Sequence, residues 1–293
     1  IHPLTMLKDA PMSFGSYNPE NFDGEFIGPL AAKDALIKSR NIPAVDIASK
    51  LTGPGLHRFF MKAGITRLRE ESFYGMSLAL GSAELTMEEL VKLYAMIANG
   101  GVLKPLRMLK SQPVEEETRL LSREASFLVL DMLAANPHPF QGYRSDWTRD
   151  SLPVSWKTGT SFGFRDAWSV GVFGPYVLVV WIGNFDGEGN PAFIGRETAA
   201  PLFFEIIDSL RFQDPDLQRY HGTGLADLNL AKVDVCAVSG RIPGPSCRQT
   251  VPTWFIPGKS PIAACDIHRT IFIDIRTGLR SCIDNAPGTR PAE

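Results

Sequence analysis

The chain has 293 residues, with 30 lysines and arginines against 32 aspartates and glutamates, for a formal net charge of −2. A hydrophobic content of 44% with 21% charged residues belongs to a folded globular protein and excludes an intrinsically disordered one. Near-neutral charge without a basic cluster argues against nucleic acid as the main partner, and no apolar run approaches the ~18 residues needed to cross a bilayer.

At about 100–200 residues per domain, this length suggests one large domain and a smaller one. Residues 1–28 are rich in Pro, Gly, Asn and Phe without a sustained period, and read as an extended, loop-like segment. From Pro29 the pattern turns helical, with Leu30, Ala31, Ala35, Leu36 and Ile37 on one face, and stops near residues 39–41 before Pro43. Further helices are expected over 43–51, 55–64, 86–98 and 122–135. The helix over 86–98 has the clearest punctuation: Thr86 and Glu89 form a capping-box pair at its start, and Asn99-Gly100-Gly101 ends it. After Asp150 the period changes to two or to continuous apolar runs, which predicts strands over 154–161, 166–173 and 176–183. Gly174-Pro175 between the last two predicts an antiparallel hairpin. A helix follows over 197–210, with Ala199, Ala200, Phe203, Phe204, Ile206 and Ile207 on its apolar face. The polar stretch from Arg211 to Asp227 then separates this body from a Gly- and Pro-rich tail with short β-like runs such as 270–275. The expected divisions are a body over 1–212, a linker over 213–228 and a small module over 229–293.

All four cysteines, Cys236, Cys247, Cys265 and Cys282, lie in that tail. An even number in one small segment favours disulfides in an oxidising compartment, paired by proximity as Cys236–Cys247 and Cys265–Cys282. A tail this small builds little core, so covalent staples make physical sense. The rival is a zinc tetrahedron: Cys265 and His268 are separated by two residues, and Cys236 and Cys247 would complete it. The ligand pairs do not form two tight knuckles, so disulfides are preferred and no metal is assigned. Trp254 and Phe255, with Pro257, offer a platform for sugar or peptide, although filling the tail's core is the favoured role.

The most informative stretch for chemistry is Ser155-Trp156-Lys157-Thr158-Gly159-Thr160-Ser161. On a strand, Lys157 and Gly159 face one way while Thr158 and Thr160 face the other. A glycine there permits close approach of a ligand or backbone. An edge strand can pair with an extended peptide while the ammonium holds a carboxylate. The plainer reading is a solvent-facing edge blunted by lysine, and a Lys-Thr-Gly triplet arises by chance in roughly 7% of such chains. Ser39-Arg40-Asn41, at the end of the first helix, is weaker still. Helix-end hydrogen bonding explains it, and Ser16-Tyr17-Asn18 repeats the pattern in the opening loop.

Together these segments resemble the active-site motifs of penicillin-binding proteins. Tyr17-Asn18-Pro19-Glu20-Asn21-Phe22-Asp23-Gly24 looks like the segment preceding the family's second motif, and Ala35 to Val45 looks like that motif itself, with Ser39-x-Asn41 at its centre. Leu80 to Thr86 with Tyr94 to Gly101 is similar to the family's buried helix. Lys157-Thr158-Gly159-Thr160-Ser161, followed by Arg165-Asp166-Ala167-Trp168, resembles the third motif and its neighbouring strand. The matches run through residues 1–212 in the family's order. In the tail, Cys236 to Gly240, Cys247, Trp254 to Pro261 and Cys265 to His268 resemble the C-terminal module of the penicillin-binding protein 1C group, whose members also carry a glycosyltransferase domain that nothing here resembles.

The resemblance implies an α/β (α+β) fold of the penicillin-binding-protein and serine β-lactamase kind, an antiparallel sheet flanked by helices, with a small β-rich C-terminal module. It implies a D,D-transpeptidase acting through an acyl-serine on stem peptides ending in D-Ala-D-Ala, and binding β-lactams. Ser39, Asn41 and Lys157 would be catalytic and Thr158, Gly159 and Thr160 substrate-binding. No metal or organic cofactor is needed. The protein would act at the periplasmic face of the inner membrane, anchored only through a segment N-terminal to Ile1, with cell-envelope proteins as further partners of the tail. One departure stands out: the family's nucleophile is the serine of a Ser-x-x-Lys motif, and the 293 residues contain none. The expectation is a chain that starts just after the nucleophile and is inactive alone. The alternatives are a serine β-lactamase or β-lactam sensor, and a non-catalytic module binding wall polymer or protein.

Overall fold

The computed structural model describes residues 1–53, 55–140, 152–214, 216–217, 220, 227–261, 263–282 and 286–292. The expected linker over 213–228 lies mostly outside them. Two compact units form, one from Lys8–Gly28 and Lys33–Leu228, the other from Ile1–Leu7, Pro29–Ala32 and Asn229–Glu293. The N-terminal residues of the chain are thus grouped with the tail as well as with the body.

In chain order, β1 (Met6–Asp9) pairs with β2 (Gly28–Ala31), and α1 (Ala32–Ile37) follows directly. The helix expected from Pro29 therefore begins later. Leu30 and Ala31 are buried as strand residues, and a short apolar run does not distinguish strand from helix by period alone. Next come α2 (Asn41–Ser49), α3 (Leu56–Lys62), α4 (Glu71–Tyr74) and a 3-10 turn over Gly75–Leu80. Pro43 is accommodated in the first turn of α2, where a missing N–H breaks no intrahelical bond. The Thr86–Glu89 capping box forms at the start of α5 (Met87–Ala98), each side chain accepting from the other's backbone N–H. A short pair, β3 (Val102–Leu103) and β4 (Thr118–Arg119), precedes α6 (Arg123–Ala134), whose N-cap is Ser122.

The centre of this unit is the antiparallel sheet β5 (Val154–Thr160), β6 (Asp166–Phe173) and β7 (Tyr176–Gly183), in that spatial order, so β5 is an edge among the described strands. Phe173 opposes Tyr176 across the Gly174-Pro175 turn, which forms the expected hairpin. A π-helical turn (Gly195–Ala199) leads into α7 (Ala200–Gln213). Trp156, Phe173, Val180, Ala199, Ala200, Phe203 and Ile207 form one buried cluster between sheet and helix. Trp156 meets Phe204 edge to face at 5.0 Å. Gly195 makes this approach possible: a Cβ there would stand 2.4 Å from the Gly159 carbonyl oxygen, well inside van der Waals contact.

In the other unit β8 (Ala231–Cys236) pairs antiparallel with β9 (Thr250–Phe255), and β10 (Ile271–Asp274) with β11 (Thr289–Ala292). Phe255, opposite Ala231, and Val235, opposite Val251, are buried, while Trp254 is half-buried with the Lys232 ammonium 4.7 Å from its ring centre. All four cysteines are free thiols. The grouping is not the one that sequence proximity suggests. The turn after β8 and the bridge between Ile242 and Ala264 bring Cys236, Cys247 and Cys265 to His268, whereas Cys282 is exposed outside that group.

Candidate active site

Ser39 and Lys157, 118 positions apart, meet: Lys157 Nζ donates to Ser39 Oγ and, at 2.8 Å, to the Thr158 carbonyl oxygen. Their positions follow from local structure. Lys157 lies at the middle of β5, opposite Val170. Ser39 lies just past α1, where the Arg40 N–H reaches back to the Ala35 carbonyl at 2.9 Å and the Ser39 N–H to that of Leu36 at 3.2 Å. That is the Schellman pattern, which needs a left-handed residue at Ser39's position. Ser39 complies with φ = 54°, where glycine is the usual occupant. A strained non-glycine residue is characteristic of functional sites rather than of simple helix ends.

The strain predicts a measurable trade. Left-handed backbone costs an L-residue about 1–2 kcal/mol, partly offset by the greater chain entropy that glycine loses on folding. Ser39→Gly is therefore expected to be more stable than Ser39→Ala, which loses the same hydroxyl and its bond to Lys157 but keeps the strain, by about 0.5–1 kcal/mol, a Tm difference of roughly 1–4 °C. Calorimetry of the two variants decides it: a lower Tm for the glycine variant would show that the conformation is not strained.

Asn41 is fixed from the opening segment. Its N–H donates to Asn21 Oδ1 at 2.8 Å and its side-chain amide to the Glu20 carbonyl at 2.7 Å. Asn21 in turn donates to Asp9 Oδ1 at 2.7 Å, and Asp9 Oδ2 accepts from the Ile27 N–H at 3.0 Å and from Arg40 Nε at 2.8 Å. Arg40 also donates to Asp23 Oδ2 at 2.7 Å. Asp9 is 0% and Arg40 6% exposed, so the residue between Ser39 and Asn41 is tied into the interior by a buried ion pair. Burial alone would push the Asp9 carboxyl up, but the donors Ile27, Asn21 and Arg40 and the Arg40 charge together hold it below the usual carboxylate range. Neither Asp9 nor the positioning role of Arg40 was apparent in the sequence, because the partners are 31 positions apart and no local pattern links them.

Thr158, Gly159 and Thr160 continue along β5, each half-buried. Thr160 Oγ1 accepts from the Gly195 N–H at 3.0 Å, leaving its own O–H free to donate to an incoming acceptor. Arg196, the next residue, donates to Asn136 Oδ1 at 3.3 Å and to the Pro137 carbonyl at 3.1 Å. Burial, and then the Arg196 charge, lower Lys157 to about 8. Near neutral pH its ammonium and neutral amine are both populated. The Ser39 hydroxyl and Lys157 amine can thus pass a proton in either direction, which suits an acid–base relay. Phe22 and Phe164 meet edge to face at 5.9 Å, joining the segment that holds Asn41 to the loop after β5. Phe164 also has a positive φ, 55°, unusual for a bulky residue. By contrast Ser16 and Asn18 of the other Ser-x-Asn pair are exposed beside the small Phe14–Tyr17 bridge.

Residues 3–173 match the family described as penicillin binding protein transpeptidase domain, and residues 228–270 that described as penicillin-binding protein 1A, C-terminal domain. The chain is 30% identical over 273 residues to penicillin-binding protein 1C of Escherichia coli (strain K12), an alignment covering 89% of this chain and 33% of that protein. It is 25% identical over 259 residues to penicillin-binding protein 1A of Rickettsia bellii, covering 74% and 32%. The chain spans about a third of the length of these curated relatives. Among solved structures, penicillin-binding protein 1A from Haemophilus influenzae superposes with a TM-score of 0.72 at 19% identity, over 90% of this chain and 46% of that one. The PonA1 protein from Mycobacterium tuberculosis in complex with penicillin V gives 0.55 at 19% identity, over 72% and 64%. At such identities these two likenesses show the fold.

Proposed function

Since this chain belongs to the penicillin-binding protein transpeptidase family, we propose that it forms the larger part of a D,D-transpeptidase site that cross-links peptidoglycan stem peptides through an acyl-serine. The observation that supports this reading is the hydrogen bond joining Ser39 to Lys157 on the sheet edge. A donor peptide ending in D-Ala-D-Ala lies along β5, with its terminal carboxylate accepting from the Thr158 and Thr160 hydroxyls. Gly159 leaves room for it. The Asn41 amide holds the donor's peptide group. The nucleophile is the serine of a Ser-x-x-Lys pair, which these 293 residues do not contain. It attacks the penultimate carbonyl. The Thr160 N–H supplies one donor to the oxyanion, and Ser39 delivers a proton, drawn through Lys157, to the leaving amine. An amine from a second stem peptide then resolves the ester. β-Lactams enter the same site as acylating analogues. Among the described residues no helix is long and apolar enough to cross a membrane; attachment at the periplasmic face rests, in this reading, on residues outside these 293.

The chain by itself is expected to form no covalent penicillin adduct, because an unactivated serine hydroxyl is a poor nucleophile at neutral pH and Ser39 has no lysine three residues on. Joined to a segment bearing Ser-x-x-Lys, it should become labelled on that serine. Intact mass after incubation with fluorescent penicillin distinguishes the two proteins. A stable adduct on Ser39 in the 293-residue chain would overturn the assignment of Ser39 as a relay.

A further inference from the structure

We infer that the C-terminal module carries a structural zinc site made by Cys236, Cys247, Cys265 and His268. The inference goes beyond the transpeptidase reading and does not depend on it. The ligand atoms of these four residues all lie within 4.8 Å of one another. The distances within the group are more telling than its compactness. His268 Nδ1 stands 3.4 Å from Cys236 Sγ, 3.5 Å from Cys247 Sγ and 3.5 Å from Cys265 Sγ. One imidazole nitrogen has a single proton or a single lone pair, so it cannot hydrogen-bond to three sulfurs equally. A tetrahedral zinc ion can account for all three. With Zn–S near 2.3 Å and Zn–N near 2.0–2.1 Å, the S···N edge of the tetrahedron comes to about 3.5–3.6 Å.

The backbone supports the same geometry. Cys236 ends β8, and its N–H donates to the Arg241 carbonyl at 2.7 Å while its own carbonyl accepts from Gly240 at 2.9 Å. This tight turn relies on Gly240, at φ = 66°, where a Cβ would stand 2.0 Å from the Leu4 carbonyl oxygen. Cys265 is pinned by its N–H to the Ile242 carbonyl at 2.8 Å. Backbone N–H groups face each sulfur: Val238 and Ser239 at Cys236, Gly244 at Cys247 at 3.3 Å, and Ile267 and His268 at Cys265. Such donors stabilise thiolate ligands and fix their direction.

A disulfide between any two of these sulfurs would need them about 2.05 Å apart. It would also leave the third thiol and the imidazole gathered without a reason. Four protein ligands leave no open position, so the site is structural rather than catalytic. Binding releases the protons of the three thiols and couples the metal to folding of the module. That role suits a small module in which, among the described residues from 229 on, the buried apolar side chains are Val235, Cys236 and Phe255.

The test uses the 293-residue chain, produced without a metal-binding tag and purified with zinc and a mild reductant. Elemental analysis should find one zinc per chain. Cobalt(II) in its place should give the ligand-field bands of a tetrahedral site together with a sulfur-to-metal charge-transfer band. His268→Ala should lose stoichiometric zinc, whereas His268→Cys, which restores a fourth ligand, and Cys282→Ser, outside the group, should keep it. Should His268→Ala fail to fold, the comparison of His268→Cys with Cys282→Ser still decides. Retention by both supports the site, and loss by either refutes the ligand set. No bound metal, with a mass lower than the reduced chain by two hydrogens per bridge, would overturn the inference in favour of disulfides. None of these readouts involves penicillin, so their failure leaves the transpeptidase reading where it stood.

Discussion

Lys157→Met, in a protein that joins this chain to a Ser-x-x-Lys segment, is expected to lower acylation by penicillin about 10²–10⁴-fold while leaving the fold as stable as before or more so. The loss follows from geometry: Nζ is the group that touches Ser39 Oγ, and a thioether neither donates nor accepts a proton there. The gain in stability follows from the lowered proton affinity. In the unfolded chain the lysine stays charged up to about 10.4; in the fold, burial and Arg196 bring it to about 8. Between those values the unfolded state binds more protons, so stability rises with pH. Below about 8 the full cost of the buried charge is present, at most about 3 kcal/mol. Removing the charge relieves that cost at pH 7, and the advantage of the variant should shrink as pH rises from 8 towards 10. Thermal melts at several pH values, beside acylation rates, check both halves. Acylation within a few-fold of the parent protein would remove Lys157 from the reacting group.

Asp9→Ala should give the largest loss of stability. It strips Arg40 of its buried partner, leaves the Ile27 N–H without its acceptor and leaves the Asn21 amide only the Glu25 carbonyl. Breaking a buried pair from one side costs about 3–5 kcal/mol, or a Tm drop of roughly 6–20 °C for a unit of this size. The pH dependence carries a definite sign. Because the native carboxyl is held below its ordinary value, its contribution is present above about pH 4 and is lost as pH falls through the native value. The variant should lack that part of the acid transition. Asp9→Ala/Arg40→Met removes both charges and should recover much of the stability, since a buried pair replaced by apolar groups is often neutral. Acylation should not recover, because Asn21, which holds the Asn41 N–H, no longer has Asp9 to orient it. Equal recovery of stability and acylation would mean that the pair only supports the fold.

Taken together, the two variants separate what the Ser39–Asn41 turn needs. Lys157 supplies the amine that bonds to Ser39 Oγ, and the Asp9–Arg40 pair ties the residue between Ser39 and Asn41 into the interior. Ser39 itself stays in a conformation that glycine would adopt with less strain. The hydroxyl, which bonds to Lys157, gives a reason for serine at this position that the helix end does not.

The features legible from residue order alone are local ones. The Thr86–Glu89 cap and the glycines after Asn99 mark α5 because capping involves residues three positions apart. The alternation after Asp150 marks β5, β6 and β7, with a hairpin at Gly174-Pro175, because side-chain direction along a strand repeats every two residues. The family resemblance selected Ser39-x-Asn41 over Ser16-x-Asn18, which residue types alone did not. The tertiary structure decided whatever depends on distance through space. It set Lys157 against Ser39 across 118 positions and lowered the lysine's proton affinity through burial and then Arg196. It buried Asp9 against Arg40, and turned Leu30 and Ala31 from an apparent helix start into a strand. In the tail, proximity along the chain suggested two disulfides. Turns and a strand bridge instead drew three sulfurs around one imidazole nitrogen. Electrostatic and coordination geometry change over an ångström, whereas spacing in a sequence says only how far apart two residues are along the chain.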